Sequence, residues 1–195
     1  MISVSKTLKH WNYYLALEND LEKLSRYIEF NEDNFKTFSI ELAHLLLASS
    51  AEVDVVMKEL CTLLSPEASA DKIFQYQKVI QEKLPELINE SIFINRYGIS
   101  VQPWINWHED ESSPNWWKSY NKVKHERDKY FNRANLKHTI NALGALLIVN
   151  YHYHKILFEQ EKGSVIKPKL VTNKLQDKFP FVELDDSYYY DSIVY

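Results

Sequence analysis

The chain has 195 residues, 45% apolar and 26% charged, which suits one soluble domain with a real core and excludes disorder over most of its length. Its net charge of −4 excludes a broad duplex-binding face, because nonspecific DNA binding draws on many phosphate contacts. A lone cysteine, Cys61, excludes an internal disulfide or a thiolate metal cluster and fits a reducing, cytoplasmic location.

Three glycines and six prolines leave little turn chemistry, so the chain is expected to be mainly α, with few connections between long helices. The opening stretch MISVSKTLKHWNYY has neither an apolar run nor a small-residue cleavage site, so no signal peptide or anchor is expected. Trp11, Tyr14, Leu17, Leu21, Leu24 and Ile28 recur at three and four residue steps, predicting a first helix over about Leu8 to Phe30. Asn31 to Asn34 reads as a turn. A second helix from about Phe35 to Leu64 is the expected central pillar, stopped by Ser65 and Pro66. Within it Ala48 to Ala51 are small enough for close approach, and Glu52 and Asp54 flank apolar positions. Those acids are either solvated or paired with a buried arginine.

A third helix is predicted from about Ala70 to Leu84, followed over Ser91 to Trp107 by an irregular excursion with room for a short hairpin. Ser113 and Pro114 look like an N-cap and a first helical residue for a basic helix, and a further helix is expected from about Asn135 to Phe158. In it Ala142, Gly144 and Ala145 predict a tight helix crossing. Its apolar run, Ala142 to Val149, is far short of the roughly 20 residues of a membrane helix, so no membrane partner is expected. From Gly163 onward VIKPKLV, FPFVEL and YYYDSIVY are β-prone pieces broken by proline. The expected organisation is a bundle of about five helices over 1–162 and an extended tail over 163–195 packed on it, in which Tyr188 to Tyr190 beside Asp185, Asp186 and Asp191 weakly resemble a docking segment.

The charge is unevenly spread. From Asn115 to His138 the chain carries Lys118, Lys122, Lys124, Lys129, Lys137, Arg127 and Arg133 against Glu126 and Asp128, so 7 − 2 = +5, leaving −9 elsewhere. Such a division points to an anionic partner met locally. At 100° per residue, Trp117, Asn121, Lys124, His125, Asp128 and Asn132 fall on one polar stripe. Trp116, Tyr120, Val123, Tyr130 and Phe131 fall on the apolar arc, and Arg127 falls among them. A guanidinium buried there needs a carboxylate, which Glu41, Glu52 or Asp54 would supply. On the stripe, a histidine that titrates near neutrality, a lysine beside it and an asparagine one turn earlier suit phosphodiester chemistry. The alternative is a structural histidine among solvated lysines.

The pattern YNKVKHERDKYF followed by ANLKHTINALGALL resembles the closing helices of the HEPN superfamily, the higher eukaryote and prokaryote nucleotide-binding helical domains. That resemblance implies a HEPN-like bundle acting on RNA, as a metal-independent endoribonuclease of a prokaryotic toxin or antiphage system. Tyr120, Asn121 and His125 fall on the family's pattern of an arginine, a polar residue and a later histidine, with tyrosine where the family has arginine. The resemblance implies that His125 takes the 2′-hydroxyl proton while Lys124 and Arg127 offset charge on the phosphorane. It also implies a homodimer that shares the site, with an antitoxin as a further partner. A literal arginine, four residues, histidine match stands at Arg133 to His138 as a second candidate. Trp116 or Trp117 either stacks a base or staples the core. The rival function is a non-catalytic module of the same architecture that binds a nucleotide or a partner protein.

Other constellations carry less. Glu41 and His44 make a single Glu, two residues, His step, where a di-iron bundle needs two. His108 to Glu111 and Tyr151 to His154 lack metal-protease spacing and are expected at the surface. No glycine-rich phosphate loop or serine elbow occurs, so neither a cofactor nor a metal is expected.

Overall fold

A computed structural model describes residues 7–109, 111–175 and 180–190. In chain order it contains α1 (Trp11–Leu24), α2 (Ile40–Leu64), α3 (Ile73–Lys83), a hairpin of β1 (Ile92–Ile94) and β2 (Ile99–Val101), α4 (Asn115–Tyr130), α5 (Leu136–Lys162) and α6 (Pro168–Leu175). The protein is mainly helical, as composition predicts.

Helices α2 and α5 lie along one another and form the centre, with α1, α3 and α4 packed on α2. On α2, Leu42, Leu46, Val56, Met57 and Leu60 are fully buried, as are Ser49 and Ser50, whose small side chains let neighbours approach. Cys61 is buried on the same face, and burial pushes its thiol up to about 12. The Ser39 side chain caps α2 by accepting from the Leu42 N–H at 3.1 Å. Helix α1 is shorter than expected. It starts at Trp11 after His10, whose positive φ of 61° makes a tight turn with the Trp11 N–H on the Lys9 carbonyl at 2.6 Å.

The hairpin expected in the excursion pairs Ile92 with Val101 and Ile94 with Ile99. Gly144 explains its seat. A Cβ there would lie 2.5 Å from Ile92 Cγ1 and 3.3 Å from Pro103 Cγ, so the glycine admits the hairpin against α5. Gly144→Val is therefore expected to lower the unfolding free energy by about 1–3 kcal/mol in urea denaturation, in spite of its gain in helix propensity over glycine.

Helix α4 begins one residue later than the sequence suggested. Pro114 occupies the N-cap position, and no side chain caps the helix, Ser113 included. What fixes α4 is an aromatic chain: Trp104 packs on Trp107 at 4.3 Å with the rings tilted by 42° and meets Trp116 edge-on at 5.3 Å, Trp116 meets Trp117 at 5.6 Å, and Trp117 meets Tyr120 at 5.3 Å. The Trp116 indole N–H donates to the Pro103 carbonyl at 2.9 Å. Both tryptophans are thus core staples and unavailable to a base, and the wheel's placement of Trp117 on the polar stripe is corrected.

The start of α5 is held by a strap from the segment before α2. The Leu136 and Lys137 N–H groups donate to the Thr37 and Phe35 carbonyls at 2.9 and 3.2 Å, and the Asn135 side chain accepts from the His138 N–H at 3.0 Å. These first donors of the helix are all used, which leaves none of the three for an anion. At the other end Gly163 (φ 72°) closes α5.

After Gly163 the structure differs from the β-prone expectation, because Pro168–Leu175 is helical, with Pro168 at its first position, where a missing N–H costs nothing. Among the described residues of the tail, strand-like pairing is confined to Glu183, which exchanges two 2.8 Å backbone hydrogen bonds with Phe93 and so adds a rung to the hairpin. The Phe181 and Val182 N–H groups donate to the buried Glu18 carboxylate at 2.9 and 2.8 Å. Tyr188 donates to Glu90 at 2.6 Å, and Thr172 donates to the Tyr188 carbonyl at 2.9 Å. Asp191 and the end of the tyrosine-rich piece lie outside the described residues. No helix among the described residues is long and apolar enough to cross a membrane.

Candidate functional site

Helix α4 carries one break. Glu126 has φ −137° and ψ 47°, so the helix that runs regularly to His125 changes direction there. The break opens a cleft of about 570 Å³ lined by Leu47 of α2, Val123 and the six residues from Lys124 to Lys129. His125, Lys124 and Arg127 therefore meet on one concavity, together with Asp128. His125 is exposed, the condition for a group that exchanges protons with a substrate. Asn121 is half-buried one turn earlier and does not line the cleft.

Arg127 is exposed, which corrects its placement on the apolar arc. The wheel assumes an unbroken helix, and the non-helical Glu126 turns every later residue away from its projected angle. The three acids offered to it are engaged elsewhere. Glu52 lies 2.6 Å from His10 Nδ1, Asp54 accepts from Tyr76 at 3.1 Å, and Glu41 lies 3.7 Å from His44 at the surface. Removing Arg127 from the core frees its charge for the cleft.

Tyr120 is buried against Trp117, and the Lys124 ammonium sits 5.4 Å from its ring centroid. Beyond the break, Glu126 lies 3.1 Å from Lys122 and 3.8 Å from Lys129. A hydrogen bond from Lys129 holds the Tyr130 phenol below its ordinary pKa.

The second candidate, Arg133 and His138, is split between a one-turn 3-10 segment (Phe131–Arg133) and the first turn of α5, yet the two remain electrostatically close. Burial, then Lys137 and Arg133, push the His138 imidazole down to about 4. The folded protein thus refuses a proton that the unfolded chain binds between about pH 4 and 6.5, and this contribution to stability falls away as the pH drops through that window. The loss is expected to reach about 3 kcal/mol, and His138→Gln to lose correspondingly less between those pH values in urea denaturation. His154, also pushed down by burial, is common to both proteins and cancels in the comparison.

The Tyr151 to His154 cluster, expected at the surface, is core. His152 lies 2.6 Å from Glu90, and His154 lies 2.9 Å from the Lys9 carbonyl oxygen. Alternating polar and aromatic letters hide two buried histidines whose partners are remote in sequence. No group of three metal-ligating side chains forms a metal site among the described residues.

Comparison of the chain with protein-family models, curated proteins and solved structures gave no match. The functional reading rests on the cleft.

Proposed function

We propose that the protein binds RNA at the α4 break and cleaves it without a metal, with His125 as the general base. One observation carries this reading: the helix break puts the exposed histidine of the basic segment in a concavity beside Lys124 and Arg127. A neutral imidazole there would take the 2′-hydroxyl proton, that oxygen would attack the adjacent phosphorus with the two cations offsetting the charge of the phosphorane, and the P–O5′ bond would break, the 5′-oxygen taking a proton from water to leave a 2′,3′-cyclic phosphate and a 5′-hydroxyl. In the same proposal the chain is a homodimer whose two clefts share one strand of RNA, in the HEPN-like manner of toxin and antiphage nucleases.

A second reading, a module of the same architecture that binds a nucleotide or a partner protein without cleaving it, is favoured by Tyr120. It is buried where the family has an arginine, so no guanidinium enters the cleft from that position. Purified protein incubated in EDTA with tRNA and with a structured RNA separates the two. Cleavage that depends on His125 supports the nuclease, and intact RNA in the presence of folded protein supports the module.

A further inference from the structure

Tyr130 ends α4 on the far side of the break, half-exposed, with three cations gathered at its ring. Lys122 Nζ lies 4.7 Å, Lys129 Nζ 4.9 Å and Arg133 Cζ 5.9 Å from its centroid. Glu126 pairs with Lys122 and Lys129, so the three cations and this carboxylate sum to 3 − 1 = +2. Beside it, Phe131 meets Phe38 edge-on at 5.5 Å, and Phe38 is 48% exposed. The neighbouring Ile40 is 63% exposed. Lys129 lines the His125 cleft as well, so this surface continues the cleft.

Its own stability does not account for the cluster. A cation over an exposed ring gains little, and three like charges around one phenol repel. Accessible rings beside cations that outnumber their carboxylate are what a single-stranded nucleic acid requires, because each base offers a flat face and each linkage a negative charge. An acidic peptide would use the cations and leave the rings idle.

We propose that Tyr130 is a stacking platform for one unpaired nucleobase of the bound RNA, with Lys122, Lys129 and Arg133 on the flanking phosphates and the Phe131–Phe38 pair under the next base. The inference rests on the RNA reading above and names how the strand is held. The two lysine side chains are 48% and 68% exposed, so their ammonium groups are free to move from the ring face to a phosphate as the base arrives.

The test is fluorescence anisotropy with a short 2′-O-methyl oligouridine, which cannot be cleaved through its 2′ oxygen, and with the same backbone carrying abasic sites. Tyr130→Leu is expected to weaken oligouridine binding by about 5- to 100-fold and Tyr130→Phe by less than about twofold, while neither changes binding of the abasic strand. Thermal melting confirms that both variants are folded. Wild-type affinity in Tyr130→Leu overturns the platform, as does equal wild-type affinity for the abasic strand. Displacement of oligouridine by polyglutamate at equal charge concentration also overturns it, in favour of an acidic protein. Binding that depends on Tyr130 without cleavage that depends on His125 retains the platform and removes the nuclease. Cleavage whose KM ignores Tyr130 does the reverse.

Discussion

His125→Ala is expected to reduce cleavage of structured RNA in EDTA by about 10²- to 10⁴-fold, the usual contribution of a positioned general base. The side chain is exposed beside the helix break, so its removal leaves no cavity in the core and the variant should melt with the wild type. Arg127→Gln should slow the reaction with little change in KM if its cation acts on the phosphorane, because an interaction made only in the transition state appears in kcat. His138→Ala serves as the comparison. Activity lost there and kept in His125→Ala would move the site to Arg133 and His138, and absence of cleavage by the wild type would leave the binding module.

Glu18→Ala is expected to cost about 2–4 kcal/mol of unfolding free energy. Its buried carboxylate accepts from the Phe181 and Val182 N–H groups and from the Tyr14 hydroxyl at 3.2 Å. Truncation leaves two backbone donors in a dry position, each worth roughly 1–3 kcal/mol when orphaned. Glu18→Gln keeps an acceptor oxygen and should lose about half as much. Urea denaturation gives the total, and hydrogen exchange at Phe181, Val182 and Glu183 shows whether the loss is local. A change below about 0.5 kcal/mol, the level of an ordinary surface substitution, would mean that the tail is held by its apolar side chains alone.

The long helices were legible because their apolar residues keep the helical period. Leu42, Leu46, Val53, Val56, Met57 and Leu60 are buried on one face of α2 as their spacing requires. The hairpin was legible from β-branched residues around Gly98, which takes φ 63° at the turn. Helix α6 was not, since a proline and two β-branched residues in eight positions read as strand until the start of the helix is known to fall on the proline. At the site, Lys124 and His125 could be projected from the sequence, while Asn121 falls outside the cleft and Arg127 was misplaced, because the projection fails at a non-helical residue that no composition signal marks. Glu18 escaped notice for a different reason: an acid on a helix looks solvated until the backbone that covers it arrives from a distant part of the chain.

That distance has a consequence in time. The donors at Val182 are added 164 residues after Glu18, which at roughly 5–20 residues per second is about 8–30 s of synthesis. Helix α1 waits through all of that interval, and the hairpin edge at Phe93 through the last part of it, since its partner Glu183 follows 183 − 93 = 90 residues later, about 5–18 s at the same rate. A nascent chain in this state presents a carboxylate on an apolar helix face and an unpaired strand edge, which makes it the stage of the protein's life at which a chaperone would have most to hold.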